Sequence, residues 1–390
     1  MPWPGPMRVP SVLTMTRSTP FAVVLDIDGA GSHPASARRP AAVSAASAAS
    51  RFAAHVQAAE RAGFTAASFA DDHRPGAPAR LDAVVRAAFA APLTGALGLI
   101  PALPALYNEP FHTATQLIAL DTASHGRAGV IAVADASPDV AARHGRTPLD
   151  AADQAGVDAE LAEVVETWRR LWDSWEDGAV IRDAATGRYL DRAKVHYADF
   201  TGRRFTVKGP AITPRPPQGQ PLVLGLEGTR AEVDAVVLDV RAGGREQWEA
   251  VARGAEAARS AHAPGTRLLV DLAVVLDHAG VRGAERLAEL DELARDRDDA
   301  GATGSGWAVD RPRHVGDAPG LVGFITFLAE HVDGVRLLPA ELDTDLDELA
   351  HAVLPELRSR GILVSPRAGS TLRQNWGLPL PANRYLENAR

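Results

Sequence analysis

Two carboxylates beside an imidazole are the first residues able to do chemistry. Asp71-Asp72-His73 follows the apolar run Phe64 to Ala70. Such a cluster at a strand end can transfer protons or hold a divalent ion. Adjacent side chains point apart, however, and metal sites draw ligands from several elements, so no metal is expected and a polar rim is the alternative. Tyr107, Asn108 and Glu109 form a second polar group on a loop, where they can line a pocket for a small molecule. His112, near the start of the following helix, is a further substrate contact or a surface residue. Arg38, beside Arg39, can meet an anionic ligand or stay a solvated charge. Gly301 to Gly306 (GATGSG) leads into no clear helix and reads as a flexible loop. The chain has no cysteine, which excludes disulfides and thiolate chemistry.

These residues need a scaffold, and the apolar pattern supplies one. Short strand-like runs cover Phe21 to Ile27, Phe64 to Ala70, Leu93 to Ile100, Ala128 to Ala134, Pro221 to Leu226, Val233 to Val240, Arg267 to Leu276 and Val332 to Leu338. Helical runs alternate with them: Ala46 to Ala62, Leu81 to Ala91, Pro110 to Ala119, Ala159 to Trp175, Glu246 to Ala261, Glu285 to Arg295, Leu321 to Glu330 and Leu346 to Arg360. The third strand is expected to break at Pro101. Eight such units predict an α/β fold, a parallel (β/α)8 TIM barrel, rather than an open sheet. The step from strand five to strand six is anomalous. Only Glu227 to Glu232 separates them, whereas a parallel crossover ordinarily takes about a dozen residues. Either the intervening helix is missing or one strand is misplaced.

Residues 1–20 read as a disordered leader without the apolar stretch of a signal peptide. Residues 21–390 read as one barrel domain with an insertion around 180–220 and an extended C-terminal tail, 361–390. The formal net charge of −8 and the lack of a basic stripe argue against nucleic acid. No apolar run reaches the ~18 residues of a membrane span. A cytoplasmic protein, able to form a homo-oligomer, is expected.

Several segments resemble the luciferase-like flavin-dependent monooxygenases, in the branch of nitrilotriacetate monooxygenase component A. They are LDTASHGRAG (Leu120 to Gly129), LWDSWEDG (Leu171 to Gly178), RFTVKGPAITPRPPQGQ (Arg204 to Gln220) and TLRQNWGLPLPANRY (Thr371 to Tyr385). The resemblance implies a TIM barrel, reduced FMN from a separate flavin reductase, and oxygenation of a small organic substrate by O2. It implies Asp71 and Arg38 as cofactor-binding positions; from their place after strand three, Tyr107 is expected to join them and Asn108, Glu109 and His112 to line the substrate pocket.

Other positions depart from the family pattern. Where the family has Ser/Thr after strand three, this chain has Pro104, Ala105 and Leu106. Val130-Ile131 and Ala134-Asp135 replace a Trp-Asn pair and Thr-Ser, and Gln154-Ala155 replaces an Arg-Tyr pair that helps hold the phosphate. Glu227-Gly228-Thr229 stands where a turn and a phosphate-binding helix follow strand five. A carboxylate there opposes a phosphate by about 1–4 kcal/mol, and each lost polar contact adds about 1 kcal/mol. The alternative function is therefore a degenerate barrel that no longer binds FMN tightly and serves as a non-catalytic partner or ligand-binding protein. Deazaflavin F420 would need the same phosphate seat.

Overall fold

The computed structural model describes residues 19–38, 48–71, 81–295 and 307–387. Eight parallel strands close on themselves: β1 (Ala22–Asp26), β2 (Ala66–Ala70), β3 (Gly98–Pro104), β4 (Gly129–Val133), β5 (Leu222–Leu226), β6 (Ala235–Leu238), β7 (Arg267–Leu276) and β8 (Gly334–Pro339). Each pairs with the next, and β8 pairs with β1, for example Val23 with Val335. A short extra strand, Arg313–Gly316, pairs with the far half of β7.

Alternation along the strands separates two cores. Ala22, Val24, Ala66, Ile100, Ile131, Leu222, Leu224, Ala235 and Leu269 point into the barrel. Their neighbours in sequence, such as Val23, Leu25, Ala67 and Val130, pack outward against the helices. Those helices include α1 (Ala48–Ala62), α2 (Ala83–Ala90), α3 (Pro110–Ala123), α4 (Pro138–Arg143), α5 (Gln154–Asp173), α6 (Gln247–Ala261), α7 (Gly283–Arg295), α8 (Ala318–His331) and α9 (Leu342–Glu348). Side chains of Asp82, Glu109, Ser137, Asp153 and Asp317 accept backbone N–H bonds at the starts of α2, α3, α4, α5 and α8, so polar caps fix where these helices begin.

The sequence reading needs three corrections. First, β3 does not stop at Pro101. It runs Gly98–Pro104, while Leu93 belongs to a tight turn, Ala91–Leu93. Proline's fixed φ suits an extended strand, and pairing on both sides (Phe69 with Pro101, Pro104 with Val133) overrides the local break signal. Second, the last helix is not continuous from Leu346. It passes from α9 through a widened π turn, Leu349–Val353, into Leu354–Ser359, where Pro355 has no N–H to continue the ladder. Third, the tail is not simply extended. A helical turn, Leu372–Asn375, sets Leu372 and Trp376 against the inner core, both essentially buried. This plug seals the amino-terminal floor of the barrel. A Cβ on Gly98 would meet Leu372 and Ala66 at under 3 Å, and one on Gly129 would press on Leu372 at 3.1 Å.

The short β5–β6 link is real and both strands are correctly placed. No helix stands between Leu226 and Ala235. Ala235 lies level with Leu224, so β6 starts partway up β5. The chain must descend only about two residues, roughly 7 Å, and eight extended residues reach ~26 Å. The stagger of the barrel makes the crossover possible without a helix.

Within 180–220 the chain forms two small antiparallel hairpins, Val180–Asp183 with Arg188–Leu190 and Phe200–Thr201 with Thr206–Val207.

Candidate active site at the carboxyl end of the barrel

The floor and the mouth of the barrel differ in exposure. Inward residues near the floor, Ala66, Leu222 and Ala235, are wholly buried. Toward the carboxyl ends of the strands the inward side chains become reachable: Arg336 is 15% and Asp271 21% exposed, and Asp26, Ala70, Val133 and Leu338 are half-buried. The mouth is an open well.

Its polar side is built by β1, β2, β7 and β8. Each places one polar residue in the inward phase of an otherwise apolar strand: Asp26, Ser68, Asp271 and Arg336. The Arg336 guanidinium grips Asp271 with two bonds, Nε to Oδ1 at 2.8 Å and Nη2 to Oδ2 at 2.5 Å. Ser68 Oγ donates to Asp26 Oδ1 at 2.7 Å. Just beyond β1, Asp28 accepts from Arg86 Nη1 at 2.8 Å and from the Ala70 N–H at 3.1 Å. Arg86 also donates to the Ala70 carbonyl at 2.6 Å, tying α2 to the ends of β1 and β2.

The electrostatics follow from this crowding. Burial, and then the Asp28 charge, push the Asp26 carboxyl up from 3.8 to about 7, against the opposing pull of Arg336 and Ser68. Burial works against the Arg336 cation, but Asp271, Asp26 and Asp28 outweigh it and hold its pKa above the ordinary value. Asp26 is thus a carboxyl poised to gain or lose a proton near neutrality.

On β3 to β6 the inward residues are apolar, and Ala102, Ile131, Leu224 and Val237 are buried in the inner core. Of the apolar run Val130 to Ala134, Val130 and Ala132 face the helices and Ile131 faces inward, while Val133, at the end of β4, is half-buried.

The residues singled out from sequence are placed as follows. Asp71, half-buried, accepts the Ala83 N–H at 2.7 Å and anchors the start of α2. Asp72 and His73 lie outside the described residues. Tyr107 is buried; its hydroxyl donates to the Ala136 carbonyl at 3.2 Å and accepts the Leu149 N–H at 2.9 Å, bracing the loops after β3 and β4. Glu109 accepts the His112 N–H at 2.6 Å, so Asn108, Glu109 and His112 gather at the start of α3. Arg38 is exposed, and its guanidinium donates to the Leu293 carbonyl of α7. Sequence reasoning missed Asp26, Ser68, Asp271 and Arg336, although each left a signal: a single polar residue at inward phase in AVVLD, AASFA, LLVDL and GVRLLP.

The β5–β6 turn does not fit an FMN phosphate. The Glu227 N–H donates to Val237 O at 2.9 Å, the Thr229 N–H to Leu226 O at 3.2 Å, and the Ala231 N–H to Thr229 Oγ1 at 3.2 Å. These amides are used internally. Glu227 itself accepts the Asp239 N–H at 2.7 Å, fixing its carboxylate at the turn. For a cation, His278, Asp347 and Glu348 bring three ligand atoms within 4.8 Å of one another.

A closed (β/α)8 barrel with a polar, solvent-reachable well at the carboxyl ends of its strands has the architecture of a TIM-barrel enzyme, whose ligands bind there. The family follows from comparison: the luciferase-like monooxygenase model matches residues 31–278, and the chain belongs to that family. Nitrilotriacetate monooxygenase component A from Aminobacter aminovorans is 28% identical over 358 residues, 75% of this chain and 77% of that protein. N-acetyl-S-(2-succino)cysteine monooxygenase from Bacillus subtilis (strain 168) is 27% identical over 368 residues, 76% of this chain and 81% of that protein. A riboflavin lyase solved with modified FMN and riboflavin superposes with a TM-score of 0.77 at 21% identity, covering 92% of this chain and 95% of that one. Among the described residues no helix is long and apolar enough to cross a membrane.

Proposed function

We propose that this chain is the oxygenase component of a two-component monooxygenase, acting on a small organic substrate with O2 and with reduced FMN supplied by a separate flavin reductase. The observation that carries this reading is the solvent-reachable polar cluster of Asp26, Ser68, Asp271 and Arg336 at the carboxyl ends of the barrel strands, above a buried apolar interior. The relative named as a component A supports the two-component arrangement. Bound flavin would supply the oxygen chemistry. The chain's own part is to seat the substrate beside this polar cluster and hold a proton at Asp26. Lacking a phosphate seat at the β5–β6 turn, the protein takes flavin as a passing co-substrate rather than a resident group.

That turn also favours a second reading, a non-catalytic partner barrel, because the Glu227, Thr229 and Ala231 amides are bonded within the chain and the Glu227 carboxylate is fixed beside them. Anaerobic titration with oxidised and reduced FMN, followed by fluorescence, separates the two. Micromolar binding of reduced FMN is expected of the oxygenase. No binding at hundreds of micromolar leaves the partner reading.

A further inference from the structure

We propose that a second copy of this chain docks on the outer face of α2 and α3, in a two-fold homodimer. The contact does not depend on which function the barrel performs. It starts from a helix with no polar side. α2 buries Ala83, Val84, Ala87 and Ala90. Its other side shows Val85 and Phe89, preceded by Leu81 just ahead of the helix; these three are spaced four apart and are 47%, 45% and 64% exposed. Ala88 and Pro92 are exposed as well. Residues four apart fall in one row along a helix, and a helix that is apolar all round is ordinarily a covered one.

The face also lacks charge. From Leu81 to Leu93 the only ionisable residues are Asp82 and Arg86. Asp82 is occupied in capping α2, and Arg86 turns inward to Asp28 and the Ala70 carbonyl. α3 packs beside α2. Along Pro110–Ala123 only His112 and Asp121 can ionise, and Asp121 is wholly buried. By contrast, α6 turns Glu249, Arg253 and Glu256 to solvent, and α7 turns Glu285, Glu289 and Glu292.

Charge and composition select the occupant. A chain of formal charge −8 repels its own copy wherever acidic surfaces meet. The α2–α3 face lets two copies meet without that repulsion, and an uncharged face is complementary to itself, as a two-fold contact requires. Permanent homodimer contacts are apolar and poor in charge, whereas a partner that comes and goes, such as a reductase, meets a surface about as polar as the rest of the molecule. Because Arg86 ties the inner side of α2 to the ends of β1 and β2, the partner copy would cover the outer side of a helix that shapes the barrel mouth.

Sedimentation velocity of the full chain at micromolar concentration is expected to show a dimer. Val85→Asp and Phe89→Asp each set like charges across the contact and should weaken self-association by roughly a hundredfold or more. Circular dichroism should not change, because both side chains already meet solvent. Ala257→Asp, exposed on α6, should leave the dimer intact. Should the aspartate variants not fold, cross-linking decides. The chain has no cysteine, so Val85→Cys supplies a single thiol, and a short bis-maleimide should join two copies through it but not through Ala257→Cys. A monomeric wild type, a dimer that survives both aspartates, or equal cross-linking at the two cysteine positions overturns the proposal. A monomer that binds a flavin reductase, and loses it in Val85→Asp, also overturns it and gives the face to that partner.

Discussion

Asp26→Asn changes stability with a sign that follows from linkage. The groups facing Asp26 are Asp28 beyond β1, Ser68 on β2, Asp271 on β7 and Arg336 on β8. Together with burial they lift its carboxyl from 3.8 to about 7. Below 3.8 the folded and unfolded chains both hold the proton. Between 3.8 and about 7 the unfolded chain has lost it while the folded chain keeps it, so stability falls as pH rises through this window and is level above it. A gap of about three pKa units at about 1.4 kcal/mol each gives an upper limit of ~4 kcal/mol. Because the mouth is open to water, roughly half of that, ~2 kcal/mol, is the working figure. Asparagine cannot ionise, so the variant's stability relative to wild type should rise by ~2 kcal/mol between about pH 4 and about pH 8. Urea unfolding of both proteins at the two pH values measures the difference directly. A difference that stays constant or moves the other way would refute the placement of Asp26 in a crowded, acidic well.

Trp376→Ala should open the barrel floor and cost about 3–5 kcal/mol in denaturant unfolding. Trp376→Phe should cost much less, because the Trp376 indole nitrogen makes no hydrogen bond among the described residues. Asp234 joins Arg169 and Arg373 and accepts the Val223 N–H, all buried, so Asp234→Ala should cost about 3–5 kcal/mol by stranding both guanidinium groups. At the β5–β6 turn, Glu227→Gln removes one charge near any phosphate placed there. Fluorescence titration should show reduced FMN binding several-fold more tightly, with oxidised riboflavin, which has no phosphate, unchanged.

The architecture was legible because all eight strands announce themselves as short apolar runs between helical ones. Even the helix-less β5–β6 step showed in the spacing from Leu226 to Val233. The prolines of β3 misled, because a local break signal carries no information about the neighbours on each side. The well was harder to see. Asp71, Tyr107 and Glu109 stood out as polar residues beside strand ends, yet the structure shows each hydrogen-bonded to backbone, Asp71 and Glu109 at helix starts and Tyr107 between two loops. Asp26, Asp271 and Arg336 looked like mere interruptions of strands. They gain meaning only when barrel closure brings β1, β7 and β8 side by side, a contact between residues over 200 positions apart.

The plug at the barrel floor imposes an order on biosynthesis. Leu372 and Trp376 come from a segment translated after every strand, so the barrel emerges from the ribosome with its base uncapped. Until that turn arrives, Ala22, Ala66 and Leu222 face water or whatever else can cover them. A nascent chain stalled just short of Thr371 should hold a nearly assembled cylinder that remains a chaperone client, and release of the last twenty residues is what should let it go.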